Sequence, residues 1–232
     1  MRGEREGVAG MMKDAASVRK SHHLRGMKSG VSRAFILVAT GLAATVAFSA
    51  LTVQVKNHRT ANFDGRARRR FPKHRRPLTK KLATLIGPMG KEWIHGPLAA
   101  VVGLHLWREG RRGAAATILA SSVVSAGLSH LFEAVMKPRE PPPGRHSPTE
   151  PSFPSGHSIE TSAVSLTLAY VLVREGMADG RIALPAALTV PVISGLGRIY
   201  LDRHWTTDVL AGWLAGTAVA ATSAAVYEAT AD

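Results

Sequence analysis

The chain contains no cysteine, which excludes disulfides, thiolate metal ligation and cysteine nucleophiles. Acidic residues are scarce beside basic ones. There are 16 Asp and Glu against 30 Lys and Arg in 232 residues, a formal net charge of +14. Aromatics make up 6%. Neither aromatic interleaving nor a recognisable nucleic-acid module accompanies the basic runs, so nucleic acid is not an expected partner. No set of Asp, Glu and His has the look of a magnesium or zinc site, and no sequence repeat is found.

What is present is uncharged apolar sequence. Ala34 to Val55 runs 22 residues without a charge, enough to cross a bilayer as a helix. Ala114 to Phe132, Ile159 to Val173 and Val209 to Tyr227 are nearly as clean. Two shorter stretches, 93–107 and 182–197, complete a set of six. Tryptophans Trp93 and Trp107 bracket the first of them, as interfacial belts require. Pro185 and Pro191 interrupt the second, which is tolerable where neighbouring helices cover the freed carbonyls. The expected fold is all-α, a six-transmembrane helical bundle with spans at about 34–55, 93–107, 114–132, 158–173, 182–197 and 209–227. Residues 1–33 form a basic, disordered tail and 34–232 one integral-membrane domain. Ala47 to Ala50 (AFSA) has the form of a signal cleavage site, but a 22-residue apolar core is long for a removed signal, so the first span is read as uncleaved.

The charges lie between the spans. Residues 1–33 carry 8 Lys or Arg, and Lys56 to Lys81 carry 11. Beside a span, the second run suits an amphipathic segment on anionic lipid headgroups. The positive-inside rule places the N-terminus and the Arg-rich turn at 108–112 in the cytoplasm. The 11-charge segment then falls outside, against that rule, which attachment to lipid would explain. The expected location is a bacterial inner membrane.

Topology gathers the chemistry. Two consecutive spans return the chain to the face it left. His157 at the start of the fourth, Arg198 at the end of the fifth, His204 and Asp208 at the start of the sixth, and Lys137 and Arg139 after the third therefore share one side. The stretch PSGH, Pro154 to His157, opens a long apolar segment. It reads either as a helix start capped by Ser155 or as an anion site of backbone N–H groups, a glycine, a hydroxyl and an imidazole. In GRIYLDRHWTTD, His204 and Asp208 stand one helical turn apart. A carboxylate there can accept the imidazole N–H, fix its tautomer and leave the other nitrogen to attack phosphorus. The bland alternative makes Arg198 and His204 snorkelling groups beside Trp205.

These pieces together resemble the type 2 phosphatidic-acid phosphatase (PAP2) superfamily, which includes vanadium haloperoxidases and bacterial acid phosphatases. Its pattern is Lys-x6-Arg-Pro, then Pro-Ser-Gly-His, then Ser-Arg-x5-His-x3-Asp. The second part is complete here, and the third is complete except that Gly197 replaces Ser. The first is degenerate: with Arg139 as its arginine, Phe132 stands at the lysine position and Glu140 intervenes before Pro141. Lys137 could take the place of a basic residue that many members have two positions before that arginine, and Arg145 is a further candidate.

The resemblance implies a lipid phosphate phosphatase that forms a phosphohistidine. His204 would be the nucleophile, Asp208 its orienting partner, and His157 the acid and then the base. Arg198, Arg139 and Lys137 would clamp the phosphate oxygens, completed by Ser155 and the backbone N–H of Gly156, whose lack of a Cβ lets phosphate approach. It also implies no metal or other cofactor, inhibition by vanadate, and a site facing the extracytoplasmic side where a lipid phosphate presents its headgroup. The alternatives are a weak or inactive lipid-phosphate binding protein of the same fold, suggested by the altered first motif, a vanadium-dependent haloperoxidase, and a basic membrane tether acting through residues 56–81.

Overall fold

The computed structural model describes residues 32–70, 77–86, 92–136, 139–143 and 152–230. They fold into α1 (Ser32–Lys56), α2 (Ala61–Arg69), α3 (Pro77–Ile86), α4 (Glu92–Arg108), α5 (Arg112–Val135), α6 (Gly156–Arg174), α7 (Gly180–Tyr200) and α8 (Thr206–Thr230). No strand occurs among the described residues. Each of the six apolar runs is one helix, with a few more residues at its ends than hydropathy alone marked. Residues 56–81 hold α2 and the first half of α3. The tail at 1–31 and Lys137 lie outside the described residues.

Four helices, α1, α5, α7 and α8, are long and apolar enough to cross a membrane. The other two fall short for physical reasons. At 17 residues α4 is brief. The 19-residue α6 begins with polar side chains, and these are buried in protein: Ser158, Glu160, Thr161 and Ser162 are all covered. As the central helix it packs against α4, α5, α7 and α8, so its surface answers to neighbouring side chains more than to lipid.

Close packing explains which helix lies where. A Cβ on Gly212 would stand 2.5 Å from Ser158 Cβ and 2.7 Å from the Ser155 carbonyl, and one on Gly216 would collide with the Ile159 carbonyl. The GxxxG spacing in α8 is therefore the seam against the start of α6. On its other side α6 meets Ser121, Ser125 and Ser129 of α5, all buried at four-residue intervals. Ser121 shares a 2.9 Å hydrogen bond with Thr167, and Ser129 donates to its own helix at 3.0 Å. Of the two prolines in α7, Pro191 is accommodated as a packed helix allows. Pro191 has no N–H for the carbonyl of Ala187, and Ser165 of α6 donates to that carbonyl at 3.1 Å.

The bundle has two distinct ends. At one, Arg111 of the α4–α5 turn donates to the carbonyl and the carboxylate of Glu175 in the α6–α7 turn, each at 2.7 Å. Nearby, Glu228 accepts from Arg33 at 3.1 Å and Tyr170 at 2.9 Å, and also from Arg174. The helices here stop on Gly110 and Gly176, both at positive φ, each closing a Schellman turn through Arg111 N to Leu106 O and Met177 N to Leu172 O. At the other end the same device uses His58 (φ 57) after α1 and Asp202 (φ 49) after α7. The Asp202 turn delivers the chain straight to His204.

Candidate active site

The first constraint is backbone. Ser155, just ahead of α6, donates its N–H to the Asp208 carbonyl in α8 at 3.0 Å. That bond joins the PSGH loop to the His204–Asp208 turn, so the start of α6, with His157, sits at the same end of the bundle as His204. Arg198 arrives there as part of the last turn of α7.

His204 is buried and its imidazole is held from both sides. Nδ1 lies 2.7 Å from the carbonyl of Ser152. A carbonyl only accepts, so Nδ1 carries the hydrogen and Nε2 presents its lone pair. Nε2 faces Nη2 of Arg198 at 3.5 Å. The nitrogen that carries no hydrogen is thus Nε2, aimed at a guanidinium. Asp208 was expected to accept the imidazole N–H directly. Its carboxylate stands 3.9 Å from Nδ1, and the Ser152 carbonyl takes the bond in its place. At that distance a charged carboxylate would favour the cationic ring through space, by about 4 kcal/mol for unit charges at an effective dielectric of about 20.

Asp208 is fully buried and immobilised. Oδ2 accepts from the backbone N–H of Trp205 at 2.7 Å, and Oδ1 from Nη1 of Arg139 at 2.5 Å. Arg139 also donates to Thr207 Oγ1 at 2.8 Å and to Asp64 Oδ2 at 2.7 Å, and lies over the Trp205 ring, 5.6 Å from its centroid. Trp205 in turn donates its indole N–H to the carbonyl of Glu140 at 2.9 Å. Sequence reasoning placed Arg139 on phosphate oxygens; its guanidinium here lies between two carboxylates.

The PSGH residues have structural duties too. Ser155 occupies the N-cap position of α6 without a side-chain capping bond; its hydroxyl, fully buried, accepts from Ser158 at 3.1 Å. A Cβ on Gly156 would meet Ser129 at 3.3 Å, so the packing need at Gly156 is the approach of α5. Gly197, where the family pattern has Ser, would bring a Cβ only to within 3.8 Å of the Ala83 carbonyl, so packing does not impose that departure.

The PAP2 superfamily model matches residues 105–231, more than half of the chain. The chain belongs to the PAP2 superfamily. This PAP2 protein is 28% identical over 150 residues to the undecaprenyl-diphosphatase of Sulfolobus acidocaldarius, covering 59% of this chain and 68% of that one. It is 37% identical over 68 residues to phosphatidylglycerophosphatase B of Bacillus subtilis, covering 28% of this chain and 34% of that one. Its fold superposes on a crystal structure described as the first transmembrane PAP2 type phosphatidylglycerolphosphate phosphatase from Bacillus subtilis. The TM-score is 0.67 at 22% identity, over 79% of this chain and 94% of that chain. The superposition shows the shared fold, and four of this chain's helices are long and apolar enough to cross a membrane.

Sequence reasoning missed Ser152, Asp64, Thr207 and the backbone role of Trp205. Ser152 acts through its carbonyl, which carries no residue signature. Asp64 had one available signal: it is the lone acidic residue between Lys56 and Lys81.

Proposed function

We propose that the chain is a membrane-embedded phosphatase that hydrolyses the phosphomonoester or pyrophosphate of a lipid phosphate. Nε2 of His204 attacks phosphorus, forming the P–N bond as the P–O bond to the lipid breaks. His157 gives its proton to the leaving oxygen. It then takes a proton from water, whose oxygen attacks the phosphohistidine; the P–N bond breaks and inorganic phosphate leaves. Arg198 stabilises the charge that builds on the non-bridging oxygens. Fixed cations can do this without a metal, because phosphoryl transfer is chiefly positioning and charge stabilisation. The observation that carries the reading is the posture of His204, with Nδ1 on the Ser152 carbonyl and Nε2 towards Arg198.

A lipid substrate agrees with a groove of about 750 Å³ in the wall formed by α1, α5 and α8. Phe48 and Phe132 line it near the catalytic turns, and Gly113 and Thr230 at the far end. The 19-residue rise from Gly113 to Phe132 is about 28 Å, close to the hydrocarbon thickness of a bilayer. We read α4 and α6 as the remaining two of six crossings: α4 is brief but leaves Leu98, Val101 and Leu104 open to lipid, and α6 is covered by protein rather than lipid. The bundle end bearing Arg33, Arg111 and Arg174 is then cytoplasmic, and the site faces outward.

Phosphate release by the purified protein from phosphatidic acid, phosphatidylglycerol phosphate and a polyprenyl pyrophosphate, in chelator, tests the proposal. Release is expected, with inhibition by vanadate and none in His204→Ala. Turnover retained by that variant would refute the assignment. The altered first motif and the engagement of Arg139 with carboxylates favour one other reading, a binding protein with weak turnover. Lipid-phosphate binding without release selects it.

A further inference from the structure

The segment between α1 and α3 is dominated by arginine and lysine, yet among its described residues the one that is buried is its carboxylate. Asp64 is 2% exposed, while α2 around it is largely open to solvent. Its Oδ1 accepts from the backbone N–H of Thr207 at 3.0 Å. Its Oδ2 accepts from Thr207 Oγ1 and from Arg139 Nη2, both at 2.7 Å.

Helix α8 explains why a carboxylate is needed there. The first N–H groups of a helix have no partner within it, and an Asp, Asn, Ser or Thr just ahead normally accepts from one of them. In α8 that position is Trp205, whose side chain has no acceptor. Asp208 supplies half of a capping box by reaching back to the Trp205 N–H at 2.7 Å. The acceptor for the next unpaired group, the Thr207 N–H, comes from Asp64, 143 residues earlier. A second latch holds α2 in place: Arg68 donates to Asp202 at 3.1 Å and to the Pro143 carbonyl at 2.6 Å.

We propose that Asp64 is a positioning residue for catalysis, resting on the phosphatase reading above. Through Thr207 it caps the helix that carries Asp208, and through Arg139 it fixes the Asp208 carboxylate beside His204. A guanidinium shared by two carboxylates carries a net negative surrounding, which suits a strut better than a phosphate clamp. The basic segment is accordingly a docked part of the catalytic end, and Arg139 acts on His204 by way of Asp208.

The test uses the full chain in nanodiscs, with a short-chain phosphatidic acid as probe. Asp64→Asn and Arg139→Gln should each lower kcat by about 10–100-fold, as loss of an outer hydrogen-bonding partner typically does, with KM changed less than about twofold. In a double-mutant cycle the combined variant should be no slower than the slower single one. Losses that multiply, or a rise in KM confined to Arg139→Gln, overturn the inference. Docking is read without chemistry by trypsin cleavage after Arg66, followed by mass spectrometry. It should accelerate in Asp64→Asn and in Arg68→Gln, and stay at the wild-type rate in His204→Ala. Unchanged cleavage in Asp64→Asn overturns the inference. Should Asp64→Asn fail to fold, Arg68→Gln decides in its place, with faster cleavage and lower kcat expected and wild-type values of both overturning it. A wild type that releases no phosphate sinks the phosphatase reading and the catalytic half of this one, while the cleavage comparison still decides whether Asp64 docks α2.

Discussion

Gly212→Ala adds one methyl group, and the structure says where it goes. The new Cβ would stand 2.5 Å from Ser158 Cβ and 2.7 Å from the Ser155 carbonyl, where ordinary contact begins at 3.4 Å. Both obstacles are backbone or attached directly to it, so no rotamer change gives relief. The start of α6 and the start of α8 must separate by about 0.9 Å. The Ser155–Asp208 backbone bond, already 3.0 Å long, does not survive that separation, and the Ser152 carbonyl moves away from His204. A misplacement of about 1 Å at reacting groups costs about a hundredfold in rate. Overpacking should cost about 1–3 kcal/mol of stability, partly offset by the about 1 kcal/mol that Ala gains over Gly within a helix. The control is Gly127→Ala, where a Cβ would meet nothing within 4 Å; it should melt at or above the wild-type temperature with unchanged kcat. Phosphate release and thermal melts of the three proteins decide the matter. A Gly212→Ala protein with wild-type kcat would show that the α6–α8 seam does not set the site geometry.

Asp202→Gly relieves a left-handed conformation that costs about 1–2 kcal/mol for a residue with a Cβ and removes a partly exposed ion pair worth about 0–1 kcal/mol. The melting temperature should hold or rise while α2 becomes easier to cleave, and a clear fall in melting temperature would contradict this. Ala120→Trp fills the groove between α1, α5 and α8; KM should rise for long-chain lipid phosphates and stay level for a water-soluble phosphomonoester, and an equal effect on both would remove the groove from substrate binding. Since the chain has no native cysteine, single Ala61→Cys and Glu109→Cys variants report orientation in intact cells. An impermeant maleimide should label the first alone, and labelling of Glu109→Cys alone would invert the topology.

Much of this architecture was legible because apolar runs long enough to span a bilayer have few alternatives to helix. Lipid leaves no partner for an unpaired backbone group. Even the shared end followed from counting crossings, since two crossings separate His157 from Arg198 and one turn separates Arg198 from His204. Helix α3 was less visible: it begins at Pro77 inside the basic segment and runs beyond it to Ile86, a proline at the first helical position being a start signal. Asp64 escaped notice because a single carboxylate among arginines looks like local charge balance until its burial is known.

The sequence by itself determined that this chain is helical and apolar enough for a membrane, and that the His204–Asp208 pair stands one helical turn apart. Tertiary packing alone settled that the Ser152 carbonyl accepts from the imidazole N–H, that Arg139 lies between Asp64 and Asp208, and that Gly212 and Gly216 face α6. The physical reason is the range of the interactions. Helix formation and spacing are set within a few residues, whereas a hydrogen bond across 52 or 143 positions exists only once packing has brought two backbones to the same place.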